Sequence, residues 1–307
     1  MPPPSLPAVV MSTASAPAPA VALSPLLIAC LAATWIIWGS TYLAIRFALE
    51  SFPPFFGMGT RFLLAGALLL GWARWRGAAW PERRQWWHAL IVGALMVGGG
   101  MGGTAYAEQS VGSGLVVAFI AIIPLMITLL NRLWGVRPAP GELAGIAVGL
   151  CGVLLLTRGA GFAASPVGLL AIVIACLTWS LGSVLSQRRL PLAAGAMGFA
   201  SEMLGGGAVL LVLAALSGEQ PQWPTPLAAG AWLYLVVFGS LIAFNAYMML
   251  LALAPAGLAS SYTFVNPLIA MLLGVALGGE TITHYEWFAA GIILTGVVLL
   301  LYGRRDH

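Results

Sequence analysis

The sequence predicts an all-α membrane protein whose ten transmembrane helices form two inverted five-helix repeats. Three observations carry this expectation. Charged residues make up 7% of the 307 residues, against about a quarter in a soluble domain. Ten apolar runs have the length to span a bilayer. The two halves of the chain also resemble each other. Apolar residues at 61% and so few charges cannot cover a water-facing surface, which excludes an ordinary soluble enzyme.

About 20 apolar residues cross the hydrocarbon core as a helix, because a helix satisfies its own backbone groups there. That criterion places spans at 25–47, 53–72, 87–107, 112–134, 141–157, 166–187, 194–216, 230–251, 256–277 and 284–302. Residues 1–24, rich in Pro, Ala and Ser and uncharged, read as a disordered cytoplasmic tail. They lack the basic stretch of a secretory signal. The first repeat covers 25–158 and the second 166–303.

All 13 basic residues are arginines. Arg74, Arg76, Arg83, Arg84, Arg132, Arg137, Arg188, Arg189, Arg304 and Arg305 fall on one side of the predicted membrane, and Arg46 and Arg158 on the other. Positive charge collects on the cytoplasmic side, so both termini are expected there. Trp72, Trp75, Trp80, Trp86 and Trp87 flank an arginine-rich loop, as an interfacial aromatic belt would. The net charge of +4 calls for no nucleic-acid partner. Cys30, Cys151 and Cys176 lie inside apolar runs and are expected to be buried, inert thiols.

Gly39-Ser40 recurs as Gly182-Ser183, 143 residues on, and Gly114-Leu115 and Pro124-Leu125 recur as Gly257-Leu258 and Pro267-Leu268. Ala105-Tyr106 recurs as Ala246-Tyr247, and Glu142 as Glu286. Five spans per copy is an odd number, so the second copy enters the membrane upside down. Inverted repeats supply two half-structures that rock about a shared site near the midplane, which points to a transporter.

Ionisable groups at membrane depth are costly and mark function or pairing. Arg61 in span 2 and Glu202 in span 7 occupy matching positions with opposite charge. They read as an ion pair with each other, as residues paired separately within each half, or as substrate-binding or coupling groups. Glu108, ending span 3, is a coupling carboxylate or a partner of Arg46. Asn245 and Asn266 offer amides to neighbouring helices or to a polar solute. Pro124 and Pro267 each free a carbonyl one turn back and are expected to kink their helices. Trp38, Trp179, Tyr42, Tyr106, Tyr247 and Tyr262, with Thr41 and Ser183, compose a candidate aromatic substrate cavity suited to amphipathic solutes or cations. The run Gly98–Gly103 satisfies a dinucleotide-type glycine spacing, but it sits in an apolar span with no preceding strand and reads as helix packing. No metal site and no cofactor is indicated. His88, His284 and His307 stand at span ends or the terminus.

The run Trp38-Gly39-Ser40-Thr41-Tyr42, then Arg46, Pro53-Pro54 and Arg61-Phe62, resembles the drug/metabolite transporter superfamily, EamA-type, and within it the YedA-like exporters. Ala107-Glu108-Gln109, Glu202-Met203-Leu204, Asn245-Ala246-Tyr247, Tyr262 with Val265-Asn266-Pro267, and Gly278-Gly279-Glu280-Thr281 continue the resemblance in order. It implies two EamA repeats, a cavity lined by spans 1, 3, 4, 6, 8 and 9, and export of small metabolites, amino acids or drug-like compounds across the inner membrane. No ATP-binding motif appears, so a proton gradient is the expected drive. The partners expected are a small-molecule substrate and the lipid bilayer, with the chain monomeric. An uptake permease or uncoupled facilitator of the same fold is the alternative, and an intramembrane enzyme a remote one, since a single Asp at position 306 leaves no convergent catalytic groups.

Overall fold

The structure is a computed structural model that describes residues 24–111, 116, 119–156, 165–278 and 283–302. The tail 1–23, Arg158, Gly114-Leu115, Gly279-Glu280-Thr281, Arg304, Arg305, Asp306 and His307 lie outside the described residues. In chain order the helices are α1 (Pro25–Ala48), α2 (Pro54–Trp75), α3 (Arg83–Ala107), α4 (Ile123–Arg132), α5 (Pro140–Leu156), α6 (Pro166–Arg188), α7 (Ala196–Leu216), α8 (Pro226–Leu253), α9 (Tyr262–Gly278) and α10 (His284–Tyr302), with a helical turn Ala256–Ala259 before α9. No β-strand occurs among the described residues. Six helices, α1, α2, α3, α6, α7 and α8, are long and apolar enough to cross a membrane, and α4, α5 and part of α10 are shorter apolar segments.

Several starts are written in the sequence as a hydroxyl followed by proline. Ser24, Ser165 and Thr225 each accept a hydrogen bond from the backbone N–H three residues on, at 3.0–3.2 Å. The proline next to each occupies a position whose N–H would have no helical partner. Helix α2 begins at Pro53-Pro54 and has no such hydroxyl. Its cap comes from a distant loop: Glu219 accepts from the Phe55 and Phe56 amides at 3.0 and 2.7 Å.

Small residues set the packing. Helix α2 lies along α7, and α5 along α10; α1 packs on α8 and α9, and α6 on α3 and α4. A Cβ on Gly296 of α10 would stand 2.5 Å from the Gly149 amide nitrogen of α5. Backbones meet this closely only where side chains are absent, which is how helices associate in lipid. Buried Thr34, Ser180 and Ser201 donate to carbonyls of their own helices, so they add no unpaired polar group to the core. Apolar side chains such as Ile36, Leu68 and Leu216 point outward, as a lipid-facing surface requires.

The structure overturns one expectation, sharpens another and adds two features. Cys151 is exposed on the outer face of α5, whereas Cys30 and Cys176 are buried; an apolar run facing lipid reads the same as one facing the core. Pro124 occupies the first turn of α4, after a turn at Ala121–Ile122, so the helix is broken just before the proline and not merely bent. Pro267 does lie inside its helix, and the chain also breaks earlier, at Ser260–Ser261. The fourth difference is a pair of π-helical stretches, Ala94–Gly102 in α3 and Leu235–Phe244 in α8, whose first residues are 141 positions apart. Such wide turns recur at functional sites. The Gly98–Gly103 run falls largely in the first stretch, where a Cβ on Gly100 would stand 2.8 Å from the Trp179 ring.

Candidate substrate cavity

Straight helices α1 and α6 carry their tryptophans to the centre of the bundle. Trp38 and Trp179 meet edge to face, with centroids 5.6 Å apart. Tyr262 from α9 lies 4.7 Å from Trp38, and Tyr247 from α8 lies 5.2 Å from both tryptophans. The polar tips are tied: Trp38 Nε1 donates to Gly239 O at 3.2 Å, and Trp179 Nε1 to the Tyr247 hydroxyl at 3.2 Å. That hydroxyl also pairs with Ser183 Oγ at 2.9 Å. Trp38, Trp179 and Tyr247 therefore have their polar atoms satisfied, and the edge-to-face geometry adds about 0.5–1.5 kcal/mol per pair.

Beside these rings is a central cavity of about 50 Å³. Of the candidate residues, Trp38, Thr41, Tyr42, Arg61, Trp179, Tyr262 and Asn266 line it. Tyr247 and Ser183 brace its wall through the bonds just described. Tyr106 and Asn245 do not line it. Tyr106 stacks on Phe55 at 5.5 Å, and the Asn245 amide donates to the Ser240 and Leu241 carbonyls of its own helix.

Arg61 is buried at 1% exposure. Its Nε donates to Ser240 Oγ at 2.7 Å, one terminal nitrogen reaches Met58 Sδ at 3.3 Å, and its guanidinium lies 4.7 Å from the Phe62 ring centroid. Both oxygens of Glu202 lack a hydrogen-bond partner and the residue is fully buried, so the expected Arg61–Glu202 pair does not form. The matching sequence positions place the two residues on packed helices, but Arg61 takes its partners from Ser240 and Met58 instead. Glu108 also keeps a buried oxygen without a partner, while it feels the charge of Arg46. The two Asn266 amide atoms likewise make no well-formed hydrogen bond.

The sequence carries no pattern for two features, an open vestibule at one end of the bundle and a set of ties at the other. A vestibule of about 660 Å³ opens where α4, α6 and α8 end and α5 and α7 begin, with Asn131, Glu142, Gln187, Arg188, Phe199 and Met248 in its wall. Cys30, near the start of α1, contacts Met249 at that same end. At the opposite end the described residues are tied together. There Trp232 Nε1 donates to Gly57 O at 3.0 Å, the Thr225 amide donates to Ser51 Oγ at 3.2 Å, Phe52 stacks on Trp232, and Glu219 caps α2. Replacing Glu219 with alanine removes two charge-assisted bonds and should destabilise the protein by about 1–2 kcal/mol. Thermal unfolding, with amide exchange at Phe55 and Phe56, measures it; unchanged protection of those amides would show the cap to be idle.

The profile of the EamA-like transporter family matches residues 23–158 and again 166–302. The inner membrane transporter YedA of Escherichia coli (strain K12) is 42% identical over 277 residues, 89% of each chain. Protein PecM of Dickeya dadantii is 25% identical over 88% of this chain and 91% of its own. A crystal structure of 23% sequence identity superposes with a TM-score of 0.74, covering 91% of this chain and 98% of that one.

Proposed function

The chain belongs to the EamA-like transporter family, a family of transporters and not of enzymes, and from that premise we propose that it exports small metabolites from the cytoplasm by alternating access. One observation carries the reading: a central cavity walled by α1, α2, α3, α4, α6 and α9 sits between an open vestibule at one end and a hydrogen-bonded closure at the other. That is what one of two alternating states requires. Ten spans in two inverted repeats, 25–158 and 166–303, are the architecture we infer. The pairing of α1 with α8 and α9, matched by that of α6 with α3 and α4, supports it, as do the π-helical stretches at equivalent positions. The vestibule end carries Arg74, Arg76, Arg83, Arg84, Arg132, Arg137, Arg188 and Arg189 and is therefore cytoplasmic in this reading. The named location of YedA supports the inner membrane as the site of action.

A metabolite-export screen of an overexpressing strain, repeated with the proton gradient collapsed, tests the proposal. Export of at least one compound that stops on collapse is the expected result; no export of any compound would overturn it. Glu108, with its unpartnered buried oxygen at the closed end, is the candidate coupling group. Glu108→Gln should flatten the pH dependence of export, and an unchanged pH profile would remove Glu108 from the mechanism.

A further inference from the structure

Resting on the transport reading above, we infer that the central cavity takes organic anions, and that Arg61 holds the anionic head, a carboxylate in the simplest case. Arg61 sits on α2 at 1% exposure and lines the cavity. Its printed bonds go to a hydroxyl and a thioether, and no carboxylate pairs with it among the described residues. A buried cation without a counter-ion is costly. It is retained at membrane depth where a ligand supplies the missing charge. Asn266, which lines the same cavity beside the Tyr42 hydroxyl, has two buried amide atoms that make no well-formed hydrogen bond, and so offers a donor to the anion or an acceptor to a neighbouring group. Among the described residues no acidic side chain lines the cavity. Glu202 is held on α7 away from it, and Glu108 stands at the closed end beside Arg46. Aromatic walls alone would also attract cations. A full positive charge sharing so small a cavity outweighs the ring quadrupoles and repels them. The sequence expectation of amphipathic solutes or cations therefore narrows to amphipathic anions, with the rings of Trp38, Trp179 and Tyr262 against the apolar body.

The test is equilibrium binding of labelled benzoate to the purified full chain, competed by benzamide and benzamidinium, planar analogues with a neutral and a positive head. Benzoate should bind saturably, and both analogues should compete at least roughly tenfold more weakly, the scale of one charge-assisted bond. Arg61→Gln should lose benzoate binding by a similar factor, while Arg61→Lys retains part of it because the charge stays and the planar fork is lost. If Arg61→Gln does not fold, the competition order in the unaltered protein and Arg61→Lys still decide. Equal competition by either analogue, full binding in Arg61→Gln, or no benzoate binding would each overturn the anion site. Failure of the transport reading looks different: benzoate binds through Arg61, yet the export screen yields nothing. Export of cations or neutral solutes with no benzoate binding leaves the transport reading standing and removes this one.

Discussion

Gly206→Val in α7 is expected to abolish recoverable folded protein. A Cβ on Gly206 would overlap the Val97 side chain and lie 2.5 Å from the Gly93 carbonyl oxygen of α3. Gly93 is equally tight from its own side, with an added Cβ 2.7 Å from the Gly206 nitrogen. A side chain could rotate away, but a backbone carbonyl held in a helix cannot. The two helices would have to separate, and α7 would then lose its seam with α2 as well. Overpacking typically costs about 1–3 kcal/mol, and this site lies at or beyond the top of that range. Gly71→Ala is the matched control, since a Cβ there meets nothing within 4 Å; it should be neutral or stabilise by up to about 1 kcal/mol through helix propensity. Size-exclusion profiles and thermal unfolding in one detergent compare them. A Gly206→Val protein unfolding at the native temperature would show that the helices are not held at this distance.

Glu202→Met should have the opposite signature, a stable protein that no longer transports. Both oxygens of Glu202 are buried without a hydrogen-bond partner, so the side chain contributes no bond whose loss would be felt. Removing an unsatisfied buried polar group should be neutral or gain about 1–3 kcal/mol. A carboxylate kept in the bundle at such a cost is kept for function, and gradient-driven export should fall by an order of magnitude. Had Glu202 paired with Arg61, the same change would have stranded the arginine and cut the folded yield. Loss of thermal stability with transport preserved would restore that structural role.

Much of this was legible because lipid imposes one rule on every helix surface. Apolar length alone located α1, α2, α6 and α7 to within a few residues of their ends. Charge at membrane depth singled out Arg61, Glu108 and Glu202 for the same reason. Hydrophobicity does not distinguish a core face from a lipid face, hence the misplacement of Cys151. Tyr106 and Asn245 were picked out by residue type and depth in the span, as Trp38 and Trp179 were, and depth does not say which way a side chain faces. Tyr106 lies against Phe55, and Asn245 against carbonyls of its own helix. The Glu219 cap was invisible for want of any local pattern, because its acceptors and donors lie more than 160 residues apart. The bare Pro53-Pro54 start was its only trace.

The central cavity of about 50 Å³ is smaller than the roughly 150 Å³ that admits a benzene ring. Binding a ring-bearing solute therefore means first populating a wider arrangement of Trp38, Trp179, Tyr247 and Tyr262. An observed dissociation constant is the intrinsic one divided by the fraction of molecules already wide enough. With one molecule in a hundred open, every solute of a given size binds about a hundredfold more weakly than its contacts warrant. Such a solute is also easily let go, as a carrier needs. Because that factor is common to solutes of one size, it cannot choose between them, and selection is left to the contacts that differ from one to the next, above all at Arg61.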